Sequence, residues 1–95
     1  MVSIIKNLFE LGQVVITQDA LEAFNQAGQE PSEFINRHVN GDWGELTGHD
    51  KQANEQAVVD GERILSAYTL KSGVKIRVIT EGDRSATTVM RAEDY

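Results

Sequence analysis

A single α+β domain is the fold class this sequence predicts, and three observations predict it. Its 95 residues suit one domain. A β-branched run at 13–17 is followed by three segments of helical period. Near residue 62 the period switches to alternation and keeps it almost to the end. Helices and strands segregated along a chain imply an antiparallel sheet with helices on one face. The expected architecture is a sheet of about four antiparallel strands. Three helices are inserted between strand 1 and a C-terminal three-stranded meander, which strand 1 joins. Residues 1–95 form the domain, with 1–10 as an N-terminal extension.

Each element has its own signals. Gln13-Val14-Val15-Ile16-Thr17 follows Gly12 and is a strand by propensity. Thr17 can cap a helix, with Asp19 favourable in its first turn. Ala20, Leu21, Phe24 and Ala27 repeat at helical spacing, and Gly28 supplies a left-handed stop. Pro31 suits the first turn of a second helix. Phe34, Ile35, His38 and Val39 give that helix one apolar stripe, and Gly41 ends it. Thr47-Gly48-His49-Asp50 has the spacing of a capping box, with Asp in place of Glu. The third helix runs to Asp60 and stops at Gly61. Its small contact residues, Ala53, Ala57 and Val58, place it close to a neighbour or at the domain edge.

Arg63 to Leu70 reads as a strand, and Lys71-Ser72-Gly73 as a hairpin turn. Val74, Ile76 and Val78 alternate with Lys75 and Arg77, the pattern of a half-buried strand. Glu81-Gly82-Asp83 is a second turn, Thr87-Thr88-Val89-Met90 a last strand, and 92–95 a tail. The strand from Thr87 to Arg91 has few charges to protect an edge, so pairing with its own copy is one expectation alongside a monomer.

Composition narrows the function classes. The net charge of −6 and pI near 4.7 disfavour binding to nucleic acid through phosphates, which needs a basic face. There is no Cys, hence neither disulfide nor thiolate chemistry. No run approaches a membrane span, and the first ten residues lack a signal-peptide pattern, so cytoplasmic residence is the default. Charge is uneven. Residues 41–62 carry six acids against one base, while residues 63–95 carry six bases against four acids.

Three constellations are candidates for chemistry. Between Gly41 and Gly44 lie Asp42 and the only Trp, Trp43. Trp43 is either an exposed anchor ringed by Asp42 and Glu45, or folded over a thin core with its indole N–H on a backbone carbonyl. With the first reading, Asp42, Trp43, Glu45, Asp50 and Glu55 form a surface for a protein with a basic face. His38, Asp42, His49 and Asp50 match no zinc signature, and no cofactor motif occurs. His38 with Glu81, Asp83, Arg84 and Ser85 would serve a small hydrolase or nuclease if the second helix and the turn converged. That turn is also able to hold an anion through Arg84 and Ser85, or simply to stabilise itself through Asp83 and Ser85.

Leu11-Gly12-Gln13-Val14-Val15, Arg37-His38, Gly41-Asp42-Trp43-Gly44, Arg63 to Tyr68, Val78 to Glu81, Asp83-Arg84-Ser85 and Thr87-Thr88 resemble a family of small proteins carried on plasmids and other mobile elements. Some copies of that family are labelled as a type I restriction subunit. The resemblance covers residues 11–95. Where other copies carry an aromatic in the penultimate strand, this chain has Arg77, so no stacking role is implied there. A mobile-element setting implies pressure to survive host defence. The expectation is a small acidic anti-CRISPR-like or anti-restriction protein that inhibits or modulates a nucleic-acid-handling defence complex without catalysis. A homodimeric, antitoxin-like regulator is the other non-enzymatic expectation.

Overall fold

The computed structural model describes residues 7–95. Its order is β1 (Gln13–Ile16), α1 (Gln18–Ala27), α2 (Pro31–Val39), α3 (Gly48–Asp60), β2 (Ile64–Thr69), β3 (Lys75–Thr80), β4 (Ala86–Arg91) and a 3₁₀ turn (Ala92–Asp94). The three helices lie between strand 1 and the C-terminal meander, as the change of period predicts. The strands form one sheet of order β1-β4-β3-β2.

Helix boundaries follow side-chain chemistry. The Thr17 hydroxyl accepts from the Ala20 amide at 3.2 Å, and that of Thr47 from Asp50 at 3.2 Å. Gly28 and Gly61 end α1 and α3 in the left-handed region, with φ of 67° and 72°. Pro31 opens α2.

Two expectations are corrected. The sheet is mixed, because β1 runs parallel to β4, with Gln13 opposite Ala86 and Ile16 opposite Val89. A hairpin forces antiparallel neighbours, but three helices and the β2–β3 hairpin lie between β1 and β4, a connection long enough to let both strands enter from one end. Gly12 permits the entry: at φ 64° its α-carbon sits against the Arg84 and Ser85 backbone, where a Cβ has no room. Consequently β4 is an interior strand, flanked by β1 and β3, and offers no edge to a second copy.

One face of the sheet carries the helices. Ala20, Phe24 and Phe34 pack there on Tyr68, Ile76, Val78 and Val89. A second cluster gathers Phe9, Val39, Trp43, Ala57 and Ile64 at the α3 side. Residues 1–6 of the expected N-terminal extension lie outside the described residues. Phe9 from the same segment is a core residue, only 8% exposed. The expected tail is a 3₁₀ turn packed near β3, where Arg63 donates to the Tyr95 hydroxyl at 2.7 Å.

The edge strand β2 is closed twice. Asn54 of α3 donates to the Leu65 carbonyl at 2.7 Å and accepts from the Leu65 amide at 3.3 Å. Beyond it, Ala67 donates to the Trp43 carbonyl (3.1 Å) and accepts from the Glu45 amide (2.7 Å). The Trp loop thus acts as a short parallel strand, with Gly44 bridged to Ala67. Gly44 has φ 76°, and a Cβ there would press into the Ala67 carbonyl and within 2.7 Å of the Tyr68 ring. We therefore expect Gly44→Ala to cost about 3 kcal/mol or more in chemical denaturation, from backbone strain plus a clash with fixed backbone. At Gly28, where φ is 67° and nothing lies within 4 Å of a Cβ, Gly28→Ala should cost only about 1 kcal/mol. Equal losses at the two sites would show that the contact at Gly44 does not matter.

Candidate functional site

The Trp loop is built inward. Arg37, in the last turn of α2, donates through Nε to Asp42 Oδ2 at 2.7 Å, and its guanidinium lies 4.6 Å from the Tyr68 ring centroid. This hydrogen bond holds the Asp42 carboxyl below the usual carboxylate range and raises the Arg37 pKa. Asp42 Oδ1 accepts from the Gly44 amide at 3.2 Å, closing the turn. The Tyr68 hydroxyl donates to the Asp42 carbonyl, and burial pushes its pKa up to about 12.

Trp43 is 3% exposed, so the exposed-anchor reading is corrected. Its ring stacks on Phe9 with centroids 6.2 Å apart and meets His38 edge-on at 6.0 Å. The indole N–H goes not to a backbone carbonyl but to the Glu55 carboxylate, at 3.1 Å. A thin core needs its largest ring, and the N–H finds an acceptor at the helix surface. Glu55 is therefore tied to the fold as well.

His38 is fully buried. Its Nδ1 meets Ser66 Oγ, and its Nε2 lies 2.9 Å from Thr80 Oγ1. Thr80 contacts Thr87 at 2.7 Å, and Thr87 donates to the Leu11 carbonyl at 2.7 Å. These contacts fix every proton. The Thr87 hydrogen goes to Leu11, so Thr80 donates to Thr87. Nε2–H must then donate to Thr80, which leaves Nδ1 to accept from Ser66. Burial lowers the His38 pKa to about 4. A protonated ring would carry a second N–H against Ser66 and deprive that hydroxyl of its acceptor.

No side chain of the turn at 81–85 hydrogen-bonds to His38, whose ring nitrogens are engaged by Ser66 and Thr80. Glu81, Asp83 and Ser85 are exposed. Arg84 is committed to backbone, donating to the carbonyls of Glu62 (2.6 Å), Ala57 (2.9 Å) and Glu81 (3.2 Å). These bonds hold it at φ 61° and place its positive charge at the C-terminal end of α3. Hydrogen bonds from Ser85 hold the Asp83 carboxyl low, which is the self-stabilised turn. The polar atoms of His38 and Arg84, two members of the expected hydrolase constellation, are thus engaged within the fold.

A shallow groove remains, of about 210 Å³. Glu45, Thr47 and Asp50 form one wall, and Thr69, Lys75 and Arg77 the other. Glu45 and Asp50 are exposed and have no ion pair among the described residues. Among the described residues, no three His, Asp or Glu side chains gather where they could share a metal ion. No helix of the described residues is long and apolar enough to cross a membrane. Compared with protein-family models, curated proteins and solved structures, the chain matches none of them.

Reading the sequence finds His38 but misses Ser66, Thr80 and Thr87, three hydroxyls on the buried face of neighbouring strands. The available signal was a small polar residue at an inward position of each alternating strand. Asn54 had a similar signal, a polar residue on the narrow packing stripe of α3.

Two predictions follow from this geometry. The folded His38 pKa of about 4 lies below its ordinary 6.5, so the unfolded chain binds the proton more tightly. Stability is complete above pH 6.5 and falls as pH drops toward 4, by on the order of 3 kcal/mol. Thermal denaturation across that window should show the fall in the wild type, and His38→Gln should flatten it. Trp43→Ala should cost about 3–5 kcal/mol. In the native protein Trp43 fluorescence should resist iodide quenching, and a freely quenched Trp would contradict its burial.

Proposed function

We propose that this chain is a non-catalytic binding protein whose partner presents a basic surface, met at the groove beside the N-terminus of α3. The observation that carries this reading is the pair Glu45 and Asp50, two exposed carboxylates on one wall without ion partners among the described residues. The net charge of −6 adds long-range attraction to a basic partner and repels free nucleic acid. Trp43 is buried and contributes through the fold, while Asp42 and Glu55, both exposed, are engaged by Arg37 and by the Trp43 indole. Taken with the resemblance to plasmid-borne proteins, the reading favours a nucleic-acid-handling defence complex, of CRISPR or restriction type, as the class of partner. Occupying its basic groove would inhibit or modulate it without chemistry.

The test is a pull-down with wild-type protein and a Glu45→Lys/Asp50→Lys variant, followed by association rates for any partner recovered. Reversal should slow association about tenfold at low salt and much less at high salt. A Glu22→Lys/Glu33→Lys variant makes the same change in net charge on exposed positions of α1 and α2, and should have the smaller effect. Recovery of the same partners by all three proteins, or equal slowing by both variants, would overturn the local reading. Circular dichroism should report an unchanged fold, since exposed carboxylates contribute little stability.

A further inference from the structure

The two edges of the sheet are treated differently. The β2 edge is closed by Asn54 and the Trp loop. The β1 edge carries no charge and no proline, and Val14 and Val15 are each 42% exposed on it. Its backbone pattern is set by the parallel pairing with β4. Gln13 donates to the Ser85 carbonyl and Thr17 to the Val89 carbonyl, both at 3.0 Å. Odd-numbered residues of β1 therefore bond inward, and Val14 and Ile16 turn their N–H and C=O groups outward. No described residue pairs with these four groups.

We propose that β1 pairs antiparallel with β1 of a second copy, joining two four-stranded sheets into one of eight strands. The free groups and the side chains of β1 together fit this occupant. With a two-fold axis at Val15, Val14 faces Ile16 of the second copy and Ile16 faces its Val14. Each pair exchanges two hydrogen bonds, so all four outward groups on each strand are satisfied. Side chains match under the same operation. Val14 meets Ile16 on the helix-bearing face, where Ile16 already packs on the core. On the opposite face Val15 meets Val15, and Gln13 meets Thr17. An unrelated strand would satisfy the backbone but has no reason to match this palindrome. The opposing term is charge, since each copy carries −6. Added salt should therefore strengthen the dimer, whereas it weakens the encounter with a basic partner proposed above. The two proposals thus fail separately.

Sedimentation velocity of the whole protein over a concentration series, at low and high salt, reads the outcome directly. The expected species is twice the 10.5 kDa chain, more populated at high salt. Val14→Pro removes one outward N–H from each strand while sparing the bonds to β4, and Val15→Lys sets like charges across the axis. Each should raise the dimer dissociation constant about tenfold or more, with circular dichroism unchanged. Val15→Lys is the decisive variant if proline disturbs the strand. A wild type that stays monomeric up to about 1 mM, or a dimer that Val15→Lys leaves intact, overturns the proposal.

Discussion

The buried line of polar groups from Ser66 through His38, Thr80 and Thr87 to the Leu11 carbonyl is the constraint on which the other parts depend. It links α2 to β2, β3 and β4 and ends at the segment leading into β1. Five groups from five segments share four hydrogen bonds, and each proton has one place to go. Such a line is tolerated in a core only when complete, because one missing member leaves its neighbour desolvated and unpaired. It therefore fixes how the helix layer sits on the sheet more narrowly than apolar contacts alone, which accept many near-equivalent packings.

The acidic middle of the chain shows how spatial neighbours reassign charges that look alike in sequence. Asp42 is neutralised by Arg37, Glu55 receives the indole of Trp43, and Asp60 accepts from Gln56 at 3.0 Å. Only Glu45 and Asp50 share a surface groove, and they face Lys75 and Arg77 across it. The basic C-terminal third is reassigned in the same way. Arg84 anchors a turn to α3, and Arg91 pairs with Glu93 at 2.7 Å. Net charge describes the far field of the molecule, while contact chemistry is left to very few side chains.

Element types and their ends were legible in the sequence because they depend on local signals. Thr17, Thr47, Gly28, Gly61 and Pro31 mark helix boundaries wherever the helices pack. The alternation of Val74, Ile76 and Val78 likewise marks a strand without reference to its neighbours. The direction of β1 was not legible, since nothing local distinguishes a strand that will lie parallel to one about seventy residues later. The same holds for the site. His38 stood out as a residue type, but its partners Ser66, Thr80 and Thr87 are ordinary hydroxyls whose meaning comes from strand register. Trp43 allowed two readings because both use the same amphipathic ring, and contacts distant in sequence, with Phe9, His38 and Glu55, decide between them.

The parallel placement of β1 against β4 also governs when this chain can finish folding during synthesis. The Thr87 hydroxyl reaches back 76 positions to the Leu11 carbonyl, and β1 has no strand neighbour until β4 exists. While the ribosome is still making the meander, the first strand and the helices after it hold apolar groups with nothing to cover them. The last pairing closes a loop spanning most of the chain, a contact of high sequence separation that slows folding. Completion thus comes only after β4 has left the exit tunnel. Until then the emerging chain offers a bare Val-Val-Ile strand to its surroundings, the kind of segment that chaperones hold and aggregates recruit.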